Sequence, residues 1–266
     1  MNNMKKILFP ILAAVVTLSS CEQIIDYDLE EGDRKLVVEG LITDQPGPYT
    51  VKLSETRGYL DQASNPGITG ATVIVSDQFG VMDTLVSVEP GVYQTTDLQG
   101  AVGNTYFLRV EHQGKIYVAK SFMQPLNPID SITYRYEDGA DTFDDPGYYA
   151  AFYFQEKPGK GDNYRFMFYI NGQRQDDITI INDEIYDGNY ADADVGITLE
   201  QNDTLSMEMY SVDKPGYDFW IGFQTLFYQG GSPFDVPPAN APSNISNGAI
   251  GYFGASAKRT ASKVIQ

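Results

Sequence analysis

Cysteine, histidine and tryptophan each occur only once in this chain of 266 residues, as Cys21, His112 and Trp220. A single cysteine excludes an internal disulfide, and with a single histidine it also excludes a zinc site built from these two residue types. A Ser-His-Asp triad would need His112 as its base. Because His112 opens the sequence His-Gln-Gly, which predicts a surface hairpin turn, we expect no histidine-dependent catalysis and no cofactor.

Basic residues are also few. The chain has 18 Lys and Arg against 36 Asp and Glu, which gives a net charge of −18 at pH 7. Binding to nucleic acid and electrostatic adhesion to anionic lipid both depend on a basic surface. The composition therefore excludes both kinds of partner.

The N-terminus has the pattern of a secretory signal. Lys5 and Lys6 precede an apolar run over residues 7–18, and the run ends in Leu18-Ser19-Ser20-Cys21. This run is too short to span a bilayer, and small residues precede the predicted cleavage site. The last four residues resemble the lipobox of bacterial lipoproteins, which implies that residues 1–20 are removed and that Cys21 is acylated. The alternative is an ordinary signal peptide with an incidental cysteine.

An acidic segment, residues 21–34, follows the cleavage site and is predicted to be a tether rather than a folded element. Two or more acyl chains on Cys21 would anchor it stably to a membrane. Acidic residues directly after the cysteine resemble the surface-export signal of Bacteroidetes-type lipoproteins, which implies a position facing the cell exterior. Simple solubility of a linker is the alternative interpretation.

The rest of the chain predicts an all-β protein. Tyrosine (19), phenylalanine (14) and glycine (25) are abundant, and short alternating runs are separated by Gly, Pro and Asx turns. Residues 35–125 predict a β-sandwich, and residues 126–266 predict a larger β-rich domain, sandwich-like or barrel-like. Residues 82–88 and 249–258 each predict one continuous strand, and Asn171-Gly172 predicts a tight hairpin turn.

One helix is predicted near residues 214–229, with Asp213 as its N-cap and Pro215 in its first turn. Phe219, Phe223, Leu226 and Phe227 fall at helical spacing. We therefore predict that this face belongs to the core, with Trp220 at its edge.

The glycine turns and Gly-x-Tyr position between Gly70 and Val110 resemble those of a transthyretin-like or carboxypeptidase-regulatory-like sandwich. That resemblance implies a spacer or docking module. Further on, residues 232–247 form a long stretch rich in Pro and Asn. We predict that this stretch covers an open sheet edge, although a functional loop is the alternative.

Two features suggest ligands or modification. Clustered acids in residues 138–145 and 183–194 offer oxygens for calcium, and we single out Asp187, Asp192 and Asp194 as ligands, with solvated loops as the alternative. Three tripeptides resemble the Asp-Ser/Thr-apolar acceptor for O-glycosylation of exported Bacteroides-type proteins. Their acceptor residues are Thr84, Ser131 and Thr204.

The segment from Pro233 to Ala255, taken with the lipobox, the sandwich and the Tyr148-Tyr149 strand, resembles an uncharacterised family of Bacteroidetes outer-membrane lipoproteins encoded near TonB-dependent receptors. The resemblance implies an outer-membrane location, a TonB-dependent receptor as partner, and a non-catalytic role as an accessory or ligand-capture subunit. Two alternatives stay open: a surface hydrolase that uses paired carboxylates, and a free-standing structural or adhesive module.

Overall fold

A computed structural model describes residues 33–58, 65–139, 145–228 and 240–266. Within these ranges the chain forms seventeen strands and one helix, which confirms the predicted all-β class. No helix in the described ranges has the length and apolarity needed to cross a membrane. The predicted signal peptide, Cys21 and nearly all of the tether lie outside the described residues, whereas residues 34–266 make one compact unit.

The connections between the elements range from a single residue, as between β4 and β5, to the long stretch that precedes β16. In chain order they are β1 (Leu36–Thr43), β2 (Thr50–Glu55), β3 (Thr72–Asp77), β4 (Met82–Thr84), β5 (Val86–Glu89), β6 (Val92–Gln94), β7 (Thr105–His112), β8 (Lys115–Phe122), β9 (Ser131–Glu137), β10 (Gly147–Gln155), β11 (Asn163–Ile170), β12 (Gln173–Arg174), β13 (Thr179–Asn182), β14 (Tyr190–Leu199), β15 (Thr204–Ser211), α1 (Lys214–Tyr228), β16 (Ile250–Ser256) and β17 (Lys258–Val264).

The N-terminal half is a β-sandwich, as predicted. One sheet has the order β16-β1-β2-β6-β5 and the other has the order β4-β3-β7-β8. Strand β7 shows why they pack together: Tyr106, Leu108 and Val110 are buried, while the residues between them face outward. The buried residues of both sheets form one hydrophobic core.

A second core lies between two further sheets. These have the orders β14-β10-β9 and β12-β11-β15-β17, with β13 also paired to β11. Phe152 of β10 packs against Phe166 of β11, with 4.7 Å between ring centroids, and Leu205, Met207 and Met209 of β15 are buried here. Asn171 and Gly172 have φ values of 50° and 80° and join β11 to β12, which confirms the predicted tight turn.

Two segments that were each predicted as one strand are divided between two sheets. Residues 82–88 are interrupted at Leu85, which is buried in the core and separates β4 of one sheet from β5 of the other. Residues 249–258 are interrupted at Ala257 between β16 and β17, and the backbone N–H of Ala257 donates to Ser211 Oγ (2.9 Å). Each prediction of a continuous strand was wrong, because an unbroken apolar pattern does not reveal that the chain crosses from one sheet to another.

Strand β16 comes from the end of the chain but pairs in parallel with β1 and packs into the first core. The first sandwich is therefore completed by residues far beyond position 125. The domain boundary near 125 stays a prediction, and the structure adds that the first described strand, β1, shares a sheet with β16.

The described part of the Pro/Asn-rich stretch covers a sheet edge, as predicted. Strand β8 is the edge of one sheet, and Val118 exchanges hydrogen bonds with Ser246 through Val118 N to Ser246 Oγ (2.8 Å) and Ser246 N to Val118 O (2.9 Å). Asn244 donates to Lys120 O (3.2 Å) and bonds both backbone groups of Phe253 in β16. The segment thus bridges the edges of both sheets of the first sandwich.

Helix α1 begins after Asp213, whose Oδ1 accepts from the N–H of Gly216 (3.1 Å), as the capping prediction requires. The predicted core face is only partly correct. Phe219 stacks on Tyr252 with 5.4 Å between centroids, but Phe223 and Phe227 are 42% and 56% exposed. The prediction was wrong for these two residues, because the spacing of apolar residues shows that a helix has an apolar face and not how far the sheet extends beneath it.

Candidate functional site

The residues predicted to bind calcium do not come together in one place. Asp192 and Asp194 lie on the exposed face of β14, where Asp194 pairs with Arg135 at 3.3 Å. Asp187 lies in the preceding turn, and its Oδ1 accepts from the N–H of Gly159 (2.7 Å). Calcium binding by these residues stays a prediction.

The predicted O-glycosylation acceptors lie at strand ends. Thr84 ends β4 and Ser131 begins β9, and both are exposed; Thr204 begins β15 and is half-buried. The neighbouring Asp83 is buried and accepts hydrogen bonds from the residues 96–98. Modification at the three positions stays a prediction.

A different acidic group is assembled by the fold. Oxygens of Glu156, Asp162 and Asp183 lie within 4.8 Å of one another, the one such group among the described residues with three or more carboxylate, histidine or cysteine ligands. Glu156 and Asp183 are buried. Carboxylates are the ligands that calcium prefers, so the group has suitable chemistry.

The carboxylates of this acidic group already have protein partners. Glu156 accepts from the hydroxyl of Tyr164 (2.7 Å) and from the N–H of Gly188 (2.6 Å). Asp183 Oδ2 accepts from the N–H groups of Gly161 (2.8 Å) and Asp162 (3.1 Å). Burial, and then the hydrogen bond to Glu156, raise the pKa of Tyr164 well above its ordinary value. The hydrogen bonds to Asp183 therefore hold the loop between β10 and β11 against the turn between β13 and β14.

The outer face of β11, β15 and β17 carries a cluster of charged and tyrosine side chains. Along β11, Tyr164, Phe166 and Phe168 point into the core, so Arg165 and Tyr169 point to the opposite face. Cross-strand pairing sets Arg165 beside Tyr210 of β15, and Tyr210 beside Lys258 of β17. Helix α1 packs over this end of the face.

Glu208 occupies the centre of the face. Its Oε1 accepts from Lys258 Nζ (2.6 Å), and its Oε2 accepts from the hydroxyls of Tyr210 (2.6 Å) and Tyr169 (3.1 Å). Burial alone raises the pKa of the Glu208 carboxyl, but these hydrogen bonds outweigh it and hold the pKa below its ordinary value. Tyr169 and Glu208 also line an open cavity of about 490 Å³.

Arg165 lies beside this network without joining it. Its guanidinium carbon lies 3.5 Å from the centroid of the Trp220 ring, and its Nε is buried without a hydrogen-bond partner. Burial, and then the neighbouring charge of Arg174, lower the pKa of Arg165 to about 10. The side chain thus stays protonated at neutral pH, and no ion pair among the described residues involves it. We call Arg165, Trp220, Tyr210 and Arg174 the arginine site.

The sequence analysis did not identify either group. Glu156 and Asp162 flank a glycine-containing loop, and that loop could have suggested that the two acids meet. Arg165 is a cation between Tyr164 and Phe166 in an aromatic strand, which is a visible irregularity. Nothing in the sequence shows that Arg165 lacks an acidic partner, because that depends on how three strands and the helix pack.

A comparison with protein families identifies a domain that matches most of the chain. Residues 22–262 match a domain of unknown function, DUF4249. No curated protein matches the chain. Because the match covers almost the whole chain, the protein belongs to the family defined by the domain of unknown function DUF4249.

Proposed function

We propose that this protein is a non-catalytic lipoprotein of the outer membrane that faces the cell exterior and serves as an accessory or ligand-capture subunit of a TonB-dependent transporter. The observation that carries the proposal is the N-terminal sequence: two lysines, a short apolar run, and Cys21 as the one cysteine of the chain. The acidic tether after Cys21 supports export to the surface. The transporter as partner rests on the family resemblance.

The folded part supports binding more than catalysis. His112 lies at the end of the β7–β8 hairpin, paired with Lys115, with Gln113 and Gly114 in the turn at positive φ. The buried carboxylates of Glu156 and Asp183 accept hydrogen bonds that hold a loop. The arginine site, in contrast, presents a cation that has no counter-charge among the described residues, which suits capture of a ligand.

Anchoring through Cys21 is tested by growing the source cells, or a related host, with labelled palmitate. We expect the wild-type protein to carry the label and a Cys21→Ser variant to lack it. Protease added to intact cells should digest the wild-type protein while a periplasmic marker stays whole. An unlabelled wild-type protein would contradict lipid anchoring, and protection from external protease would contradict the surface position.

A further inference from the structure

Arg165 is half-buried, the Nε of its guanidinium is fully buried, and the guanidinium has no anionic partner within the described residues. Its Nε makes no hydrogen bond, although the chain contains 36 acidic residues. A buried charged donor without a partner costs folding free energy. Since no acceptor for this charge is found among the described residues, the charge points to an acceptor that a bound ligand supplies.

The acids around the site are committed to other groups. Glu208 is held by Lys258 and two tyrosine hydroxyls. Asp213, at the start of the overlying helix, accepts from Ser121 Oγ (2.8 Å) and from the hydroxyl of Tyr252 (3.1 Å). Neither carboxylate forms an ion pair with Arg165, so the described residues leave the position of a counter-anion open.

The surroundings orient the guanidinium rather than neutralise it. The guanidinium carbon lies 3.5 Å from the centroid of the Trp220 ring, and this contact holds the guanidinium over the face of the ring. Arg174 adds a second positive charge, which disfavours the charged form of Arg165. An anion bound between them would relieve this repulsion.

We propose that the arginine site binds the carboxylate or phosphate group of an anionic ligand, with Arg165 donating through its fork of N–H groups. A planar guanidinium matches both oxyanions, because it can donate two parallel hydrogen bonds to either. The site gives the proposed capture function its class of ligand. It rests on that function only for its biological role, because oxyanion binding is a property of the purified chain.

Trp220 is the one tryptophan of the chain, so tryptophan fluorescence reports on this site alone. The purified protein is titrated with sodium phosphate and, separately, with sodium acetate, and sodium chloride at equal ionic strength is the control. Arg165→Gln removes the proposed donor. Arg109→Gln is the matched control, because Arg109 is an exposed arginine paired with Glu111 at 2.7 Å.

We expect a saturable fluorescence change with phosphate or acetate in the wild-type protein and in Arg109→Gln. In Arg165→Gln the affinity should fall at least about tenfold, the loss expected for one charge-assisted hydrogen bond. A response to phosphate alone or to acetate alone identifies which oxyanion the site prefers. The proposal would be overturned if phosphate and acetate changed the fluorescence of the wild-type protein no more than chloride does. It would also be overturned if Arg165→Gln bound either oxyanion as tightly as the wild-type protein.

Arg174→Gln serves as a second variant should Arg165→Gln fail to fold. Arg174 is exposed, and its replacement leaves the packing intact. Because the positive charge of Arg174 adds to the attraction for an anion, we expect weaker oxyanion binding in this variant. An unchanged affinity for phosphate and acetate would overturn the proposal. Failure of these titrations leaves the lipid-anchor experiment unaffected, so the two hypotheses fail separately.

Discussion

Several buried acids of this protein hold loops by accepting backbone hydrogen bonds. Asp83 is the clearest case: its Oδ2 accepts from the N–H groups of Thr96 (2.8 Å), Asp97 (2.9 Å) and Leu98 (3.0 Å). Its other oxygen accepts from the Thr96 hydroxyl (3.0 Å). Because Asp83 belongs to one sheet and the turn follows a strand of the other, the carboxylate ties the two sheets of the first sandwich together.

Replacement of Asp83 should destabilise the protein in a pH-dependent way. Burial raises the pKa of Asp83, but the hydrogen bonds from Leu98, Asp97 and Thr96 outweigh it and lower the pKa below 3.8. The stabilisation is therefore complete above pH 3.8 and is lost as the pH falls through the lower folded-state pKa. We expect Asp83→Asn to lower the free energy of unfolding by about 2 kcal/mol at pH 7, and by less in acid.

Urea unfolding at a series of pH values measures this effect. Asp97→Asn is the control for the charge change, because the Asp97 side chain is exposed and only its backbone joins the network. An equal effect of the two substitutions, or a difference that does not shrink in acid, would contradict the account.

At the scale of elements, the helix and the final strands are joined to the sandwiches by a few polar side chains. Asp213 caps α1 and also accepts from Ser121 Oγ of β8 and Tyr252 Oη of β16. It therefore links the helix to both sheets of the first sandwich. Since α1 carries Trp220, the geometry of the arginine site depends on this link.

We expect Asp213→Ala to lower the free energy of unfolding by about 2–4 kcal/mol, because it removes the cap and leaves buried donors unpaired. The variant should also change Trp220 fluorescence. Asp218→Ala, on the same helix but paired with the exposed Lys214, should cost less than about 1 kcal/mol. Equal melting temperatures for the Asp213→Ala variant and the wild-type protein would show that the link does not matter.

The segment around Asn244 protects the edge strand β8 and holds β16 beside it. Asn244→Ala removes three hydrogen bonds, to Lys120 O (3.2 Å), Phe253 O (2.7 Å) and Phe253 N (3.0 Å). We expect a loss of about 2 kcal/mol and faster aggregation, since an uncovered edge can pair with another chain. Asn240→Ala, at an exposed position, is the control; thermal melting and light scattering measure both variants. Indistinguishable behaviour of the two would refute a role in edge protection.

For the whole molecule, the sequence predicts most elements but not their arrangement. The Asn171-Gly172 turn and the cap at Asp213 are local properties, and both predictions are confirmed. Strand β14 was missed because its acidic residues resemble a loop, although Ala191, Val195 and Leu199 alternate with exposed residues and are buried. Sheet crossing at Leu85 and the pairing of β16 with β1 depend on contacts between distant segments, which no local pattern contains.

The candidate site was harder to predict for the same reason. The acids singled out for calcium are close in sequence, whereas the acidic group that forms joins residues from both sides of a loop with Asp183, more than twenty positions away. The unpaired charge of Arg165 is a result of packing by β15 and α1. Both the acidic group and the arginine site therefore depend on which distant segments come close together in the fold, and the residue types alone do not show this.

The proposed role of the protein is the capture of ligand for a TonB-dependent transporter at the cell surface. It is tested most directly by native co-purification from outer membranes in mild detergent, followed by mass spectrometry. An antibody captures the protein, so that the C-terminus, where Ile265 is fully buried, carries no tag; the Cys21→Ser variant is the control. We expect a TonB-dependent receptor in stoichiometric amount with the wild-type protein, and recovery of the wild-type protein alone would contradict the proposed role.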